Sequence, residues 1–229
     1  MQHSSSDIVN LDEIFGLTQI HLCELDGSGK LIHKDSYKAF QQMQAQAKVV
    51  GIDMQVASAY RSFDRQLSIW NAKASGQRDC LDDSGHCIDL TRLNSLQIIE
   101  SIMRVSALPG ASRHHWGTDL DVYDAAAMPE DYQLQLIAAE YSANGPFDRL
   151  NLWLEKHAAD FGFGRPYSAD RGGIAPEAWH ISHLPIANIY SQAFDFQQYM
   201  ALLEQSDIAL KESIVKNLKY LFERYIQIT

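Results

Sequence analysis

The chain has 229 residues, of which 46% are hydrophobic and 21% are charged, a composition typical of a globular protein long enough for one well-buried domain. Its formal net charge of −10 at pH 7 repels phosphate backbones, and no run is rich in lysine and arginine, so we do not expect nucleic acid as a partner. No stretch approaches the roughly 18 uninterrupted apolar residues of a membrane span, so we expect none.

Residues 1–7 lack the basic segment and following apolar segment that mark a secretory signal peptide. Taken as written, the sequence predicts a cytoplasmic protein, whereas a periplasmic chain whose leader had been removed would look the same. The cysteines are Cys23, Cys80 and Cys87, an odd count that argues against a complete disulfide framework. Cys80 and Cys87 share one polar loop, where they would close a small ring in an oxidising compartment or remain free thiols in the cytosol.

The first half of the chain mixes short strands with helices. Residues 26–29 (DGSG) indicate a turn between two short strands. Apolar side chains at helical spacing predict helices over 36–50, after Ser62 as far as residue 74, and after Ser95 as far as residue 105. Alternation of inward and outward side chains predicts a strand over 54–60.

The second half follows the same mixed order. We predict strands over 118–123 and 178–184, a helix over 147–161, a loop over 165–176, and helices over 186–229 that end in an amphipathic one from about 207 to 226. Pro185 is expected to close the second of these strands. Because strand and helix do not alternate regularly, the order favours an α+β fold.

Two short segments carry the chemistry: residues 112–121 (SRHHWGTDLD) and residues 177–180 (EAWH). They supply imidazoles and a carboxylate for one zinc ion, with a second carboxylate beside the last imidazole. Three protein ligands, an open position for water and a base are what a metal-dependent hydrolase needs. A spacing of seven does not put His114 and Asp121 on one face of a regular strand, so they converge only if His114 lies on the loop before it.

The pattern SxHxxGxxxD in residues 112–121, followed by ExWH in residues 177–180, resembles the zinc peptidases of the VanY-like D-alanyl-D-alanine carboxypeptidase group. That group belongs to the wider set that includes lysostaphin-type peptidases and the hedgehog signalling domain. Residues 58–66 (SAYRSFDRQ) are similar to the family's Tyr-Arg-Ser segment with a following glutamine. The motifs stand in the family's order over residues 58–183, more than half of the chain.

The resemblance implies that His114, Asp121 and His180 are the zinc ligands. It also implies that Glu177 is the general base and acid, and that Arg61 binds the scissile carbonyl oxygen as this becomes an oxyanion. The chemistry agrees with these roles, because zinc lowers the pKa of bound water to roughly 7 and an arginine stays protonated near an oxyanion. Proton transfer by a glutamate is usually worth about 10²–10⁴-fold.

The resemblance also implies a substrate-binding role for Ser112, near the metal, and for Gln66, for which an exposed helix position is the alternative. The fold it implies is a small antiparallel sheet that carries the zinc site, flanked by helices. We therefore divide the chain into a zinc peptidase catalytic domain over 1–185 and a C-terminal helical extension over 186–229 packed on the same domain.

One position departs from the family pattern. The family usually has a small apolar residue two positions before the ligand aspartate, where this chain has Asp119. Asp119 and Asp121 share strand parity, so Asp119 is either a further ligand or a residue that orients a ligand imidazole. His115 and His183 are neighbouring imidazoles, for which we favour a surface position or a contact behind the ligands.

The expected function is that of a zinc-dependent carboxypeptidase that removes a terminal D-alanine from peptidoglycan stem peptides, either at a D-Ala-D-Ala end or from a tetrapeptide. A peptidoglycan endopeptidase or D-Ala-D-Ala dipeptidase with the same zinc chemistry is a first alternative. A non-catalytic zinc-binding domain of the same fold is a second, against which the presence of Glu177 and Arg61 argues. The sequence predicts no particular oligomeric state.

Overall fold

The computed structural model describes residues 9–83 and 85–227. Residues 1–7, in which a signal peptide was sought, lie outside these ranges. So do Ser84 of the polar loop and the last two residues of the C-terminal helical extension.

Two antiparallel sheets organise the chain. The smaller sheet pairs β1 (Leu22–Glu24) with β2 (Leu31–His33) across the predicted 26–29 turn. The larger sheet has the order β3-β4-β6-β5 and contains β3 (Met54–Ser58), β4 (Asp119–Asp124), β5 (Phe163–Gly164) and β6 (His180–His183). Its central strands β4 and β6 are the two that the functional motifs enter.

Nine α-helices surround the sheets in the described part of the chain: α1 (Leu11–Ile14), α2 (Lys34–Val49), α3 (Phe63–Ala74), α4 (Ser95–Met103), α5 (Ala138–Tyr141), α6 (Asp148–His157), α7 (Leu184–Ala193), α8 (Phe196–Gln205) and α9 (Lys211–Leu221). Short 3-10 turns cover Leu90–Arg92, Arg113–Trp116, Ala125–Ala127 and Ala158–Phe161, and a π-helical turn, Phe222–Ile226, follows α9. Helices around small antiparallel sheets confirm the predicted α+β class.

Helix boundaries follow local capping chemistry. Ser62 accepts a hydrogen bond from the backbone N–H of Arg65 at 3.2 Å and caps α3, as predicted. The cap of α4 is Asn94, one residue before the predicted Ser95, because Asn94 and Gln97 form a reciprocal capping box. Pro185 does not close β6; it lies in the first turn of α7, where its missing N–H has no intrahelical partner to lose.

Two apolar clusters hold the elements together. The first packs the larger sheet against α2 and α6, with Phe40 and Leu150 fully buried. The second joins α3 and α4 to the C-terminal helices, and contains the buried side chains of Trp70, Tyr199 and Leu218. Residues 186–227 therefore share a core with the rest of the chain.

Within the residues described, no helix combines the length and apolar character needed to cross a membrane.

Candidate metal centre and active site

The pairing of β4 with β6 creates the centre of the site. In this antiparallel register Asp121 lies directly opposite His180. His114 comes from the 3-10 turn before β4, which ends at Gly117 in the left-handed region with a φ of 69°. The turn carries His114 back towards the strand, which removes the parity problem that a spacing of seven would pose in a regular strand.

His114, Asp121 and His180 form a compact, buried cluster. The Nε2 atom of His114 lies 3.4 Å from Oδ2 of Asp121, and Nδ1 of His180 lies 3.2 Å from Oδ1 of the same carboxylate. One ligand atom from each residue lies within 4.8 Å of the others. Two imidazole nitrogens and a carboxylate oxygen so placed fit a zinc ion that keeps an open position.

Hydrogen bonds on the far side of each ring leave the inner nitrogen free to ligate. Nδ1 of His114 donates to the carbonyl of Ala59 at 2.9 Å, because a carbonyl oxygen only accepts, so Nε2 faces the cluster. Nε2 of His180 donates to Asp119 at 2.9 Å, so Nδ1 faces the cluster. Such outer partners fix the ring orientation of metal-binding histidines.

Asp119 lies behind His180 and outside the set of residues placed to hold the metal. Its carboxylate also accepts hydrogen bonds from Arg113 at 2.7 Å, from Thr118 at 2.7 Å and from Ser182 at 2.9 Å. All of its acceptor capacity is thus used in a fully buried network. Of the two roles considered for Asp119, the geometry favours orientation of the His180 imidazole.

The electrostatics of the cluster favour a bound cation. Although burial raises the pKa of the Asp121 carboxyl, the imidazoles of His114 and His180 lower it well below its usual range. Burial lowers the pKa of His180, but its hydrogen bonds to Asp119 and Asp121 outweigh this and raise it to about 10. Two ionised carboxylates around one imidazole are a negative site that a divalent ion would neutralise.

Glu177 lies beside the cluster, on the loop before β6. Its Oε2 atom lies 3.4 Å from Nδ1 of His180, and its side chain is 15% exposed. Burial raises the pKa of Glu177 to about 7, with His180 opposing the shift and Asp121 reinforcing it. A carboxyl poised near neutral pH is suited to accept and return a proton.

Arg61 follows β3 and is held in place by two hydrogen bonds. Its guanidinium donates to Oε1 of Gln66 at 2.8 Å and to Oγ of Ser58 at 3.2 Å. Gln66 is fully buried rather than exposed, and its amide donates to the carbonyl of Ala107 at 2.6 Å. The geometry therefore makes Gln66 a support for Arg61; direct contact of Gln66 with substrate stays a prediction.

The other residues singled out in the sequence occupy separate positions. Ser112 is buried at the start of the 3-10 turn that carries His114. His115 is fully buried, and its ring bonds the carbonyl of Arg61 at 2.6 Å and the N–H of Gly110 at 3.0 Å, a structural role. Nδ1 of His183 lies 2.9 Å from Oγ of Ser36.

Cys23, Cys80 and Cys87 are all free thiols in the structure. Cys80 is buried and Cys87 is exposed, so the disulfide alternative is not what the structure contains.

Sequence reasoning missed two side chains near the cluster. The Tyr167 ring packs against His180 with ring centroids 4.8 Å apart, and its backbone carbonyl accepts from the N–H of Glu177. Lys73, near the end of α3, is 7% exposed, and its charge acts on both Glu177 and Arg61. Tyr167 sits in a loop without periodicity and Lys73 in a polar helix turn, so neither carried a signal.

The family follows from a match to the whole segment that contains these residues. The sequence model of VanY, D-alanyl-D-alanine carboxypeptidase, matches residues 29–186. The chain belongs to this family. The match spans β2 to α7 and includes every residue of the cluster, and membership places the chain among the hydrolytic peptidases related to VanY.

The chain is also similar to a sequence relative and to solved structures. The chain is 32% identical over 121 residues to an uncharacterized protein of Haemophilus influenzae. The aligned region covers 52% of this chain and 92% of the relative. The fold of this chain is similar to VanYB in complex with D-alanine-D-alanine, with a TM-score of 0.52, 21% identity, and coverage of 79% of this chain and 87% of that one. A mutant of the vancomycin-resistance D,D-pentapeptidase VanY in complex with Zn(II) gives a TM-score of 0.51, 22% identity, and coverage of 78% and 88%. These likenesses show that the chain shares the fold of the two solved structures.

Proposed function

We propose that this protein is a zinc-dependent carboxypeptidase that removes a terminal D-alanine from peptidoglycan stem peptides. The observation that carries the proposal is the buried cluster of His114, Asp121 and His180, with Glu177 on one side and Arg61 within its electrostatic reach. VanY-family membership supports it, because the family is described by this activity.

The metal would be held by Nε2 of His114, a carboxylate oxygen of Asp121 and Nδ1 of His180. When bound, zinc supplies Lewis acidity and an activated water at neutral pH. The protein supplies the orientation: Ala59 and Asp119 hold the far nitrogens of the two imidazoles. This support from outside the ligand set keeps the two rings in a single geometry.

Glu177 would take the proton from the attacking water and deliver it to the nitrogen of the departing D-alanine. Its position 3.4 Å from His180 puts the carboxyl at the edge of the cluster, where such a water would lie. Because its pKa is raised to about 7, it can both accept and release a proton near neutral pH. The backbone bond from its N–H to the carbonyl of Tyr167 fixes the loop that carries it.

Arg61 would donate to the scissile carbonyl oxygen as negative charge develops there. Gln66 and Ser58 hold the guanidinium in advance, so little reorganisation is needed during the reaction. Ser112, buried beside His114, is proposed to contact the substrate near the metal. The presence of both Glu177 and Arg61 favours an enzyme over a non-catalytic domain of the same fold.

The test is release of free D-alanine from synthetic tetrapeptide and pentapeptide stems, with and without a chelator. We expect chelator-sensitive release from one of them, which also names the bond cut. Glu177→Ala should lose about 10²-fold or more in turnover yet keep one zinc per chain, because the glutamate moves protons and is not a ligand. His180→Ala should lose both metal and activity.

The exposed Glu204, on α8, offers a matched control, since Glu204→Ala removes a carboxylate that is not part of the cluster and should leave turnover unchanged. Full activity of Glu177→Ala, or stoichiometric zinc in His180→Ala, would contradict the roles assigned here. Release of a dipeptide or of an internal fragment in place of D-alanine would identify a dipeptidase or an endopeptidase.

A further inference from the structure

A cavity of about 550 Å³ opens beside the metal cluster, a size typical of ligand sites. Its walls come from five parts of the chain: Gln19 before β1, the segment that leads into β2, the end of β3 with the residues after it, the first half of α3, and Arg78 beyond the end of α3. Arg61 lines the cavity and also experiences the charges of Asp121 and Glu177. Arg61 therefore connects the cavity to the cluster.

The charge of this cavity is opposite to that of the molecule. Among the described residues that line it, four are basic, namely Lys30, Arg61, Arg65 and Arg78, and none is acidic. The whole chain has 29 acidic and 19 basic residues. The charge of the cavity lining therefore differs from that of the chain as a whole. A concave region lined by positive charges attracts a small anionic ligand, even in a protein whose net charge is negative.

The cations of the cavity are also available for a ligand. Arg65 and Arg78 are exposed and Lys30 is half-buried. None of the ion pairs within the described residues involves these three side chains, although other arginines such as Arg104 and Arg113 are each paired with aspartates. Among the residues that the structure describes, the Arg61 side chain donates only to neutral partners, Gln66 and Ser58. Guanidinium groups with unused donors match the two oxygens of a carboxylate.

One wall of the cavity is suited to a peptide. Ala57 and Ser58 line it, and they belong to β3, which lies at the edge of the four-stranded sheet. An edge strand can offer backbone N–H and C=O groups to an extended peptide. Peptide backbone on the strand and carboxylate on the arginines together define an acidic peptide as the ligand class.

We propose that this cavity is a carboxylate subsite, in which Arg65 and Arg78, with Lys30, bind a carboxylate of the peptide substrate while Arg61 serves the scissile bond. The inference rests on the proposed function for the identity of the substrate. The carboxylate has two possible sources, the C-terminus of the peptide or an acidic residue within it. Both have the same chemistry, and the test below separates them.

The test measures binding apart from turnover. Peptide affinity is determined by calorimetry with the full chain carrying Glu177→Ala, which leaves the peptide intact. Three probes are used: a stem tetrapeptide with all carboxylates free, the same peptide amidated at its C-terminus, and the same peptide amidated at its internal acidic residue. In this background, Arg65→Gln with Arg78→Gln should weaken binding of the first probe by on the order of tenfold or more, as loss of charge-assisted hydrogen bonds implies.

The double variant should also lose the ability to distinguish the free peptide from an amidated one. The parent should bind one amidated probe less tightly than the free peptide, and that probe identifies the carboxylate that the cavity binds. The double variant should bind these two probes equally, because the partner of the missing carboxylate is gone. Lys48→Gln, an exposed lysine on α2 outside the cavity, removes the same kind of charge and should change nothing. Thermal unfolding of each variant is measured as a control, to check that the exposed substitutions leave the fold intact.

The outcomes separate the two proposals. Arginine-dependent binding without hydrolysis of any stem peptide by the wild-type protein would keep the carboxylate subsite and overturn the proposed function. Release of D-alanine together with unchanged affinity in the double variant would keep the function and overturn the subsite. Failure of the parent to bind any of the probes, or equal binding of all three, would also overturn the subsite.

Discussion

At the scale of single residues, Asp119 has the most consequential contacts outside the cluster. It is a fully buried carboxylate that connects His180 to Arg113, Thr118 and Ser182. Arg113 is itself only 11% exposed, so solvent screens the attraction between the two charges little. Although burial raises the pKa of Asp119, Arg113 and His180 lower it below the usual range of a carboxyl. Asp119 is therefore an anion that both orients a ligand and neutralises a buried cation.

We predict that Asp119→Ala weakens zinc binding by about 10–100-fold, the usual effect of removing an outer partner of a metal-binding histidine. It should also lower the free energy of unfolding of the zinc-free protein by about 3–5 kcal/mol, because Arg113 is left buried without its carboxylate. Zinc affinity is measured by competition with a chromophoric chelator, and stability by urea unfolding.

Asp124 provides the control for this prediction. It lies on the same strand, is buried and accepts hydrogen bonds from backbone N–H groups, but it does not contact His180. Asp124→Ala should cost stability while leaving zinc affinity as in the parent. If Asp119→Ala binds zinc as tightly as Asp124→Ala does, Asp119 has no role in orienting the ligand.

At the scale of elements, the turn that carries His114 depends on one glycine. Gly117 ends the turn with a φ of 69°, a backbone conformation that residues with a Cβ atom rarely adopt. A Cβ at this position would overlap the side chain of Leu22 and lie 2.9 Å from the backbone nitrogen of His33. The β1–β2 hairpin packs directly against the turn, and the N–H of His33 donates to the Gly117 carbonyl at 2.8 Å.

We predict that Gly117→Ala destabilises the protein by about 3 kcal/mol or more, since it adds overpacking to the left-handed strain. Gly27→Ala is the matched control: its φ is 71°, but nothing lies within 4 Å of its Cβ position. The control should cost only the conformational penalty, about 1–2 kcal/mol. Urea unfolding of the two variants checks the difference, and equal losses would show that the hairpin does not constrain the turn.

The elements also show what could be predicted from the sequence. Helical spacing located α2, α3 and the C-terminal helices, because each buries one apolar face in a shared core. The motifs located the residues of the cluster, but convergence of His114 with Asp121 needed a turn whose geometry only the hairpin contact fixes. Tyr167 and Lys73 could not be predicted, since their proximity to the cluster depends on the path of a loop and on helix packing.

At the scale of the whole molecule, a buried polar cluster joins elements from both ends of the chain. His33, from β2, has its Nε2 atom 3.2 Å from the hydroxyl of Tyr190 in α7, and that hydroxyl donates to Glu13 of α1 at 2.6 Å. Nδ1 of His33 accepts the N–H of Asp35. A neutral imidazole with its proton on Nε2 satisfies both contacts, whereas a protonated ring would place a second donor against the Asp35 N–H.

His33 is consequently held neutral. Burial, together with the neighbouring His21, lowers the pKa of His33 from an ordinary value of 6.5 to about 4. The titratable and charged groups that face or surround it are His21, Lys34, Asp35, His183, Tyr190 and Glu13. Among these, Asp35 favours the charged form of His33, and His21, His183 and Lys34 oppose it.

We predict that this neutral histidine makes the fold less stable in acid. The pKa of His33 is lower in the folded chain than in the unfolded chain, so the unfolded chain binds the proton first as pH falls below 6.5. The contribution is fully present above pH 6.5 and is lost progressively down to about pH 4, by on the order of 3 kcal/mol.

Urea unfolding of the zinc-free protein at several pH values in this window gives the slope of the unfolding free energy against pH. His33→Gln should remove the part of the slope that His33 contributes, whereas His86→Gln, at a position whose side chain is 81% exposed, should keep the slope of the parent. A slope unchanged by His33→Gln would assign the acid sensitivity to other groups, because glutamine can donate to Tyr190 but cannot take up a proton in this range.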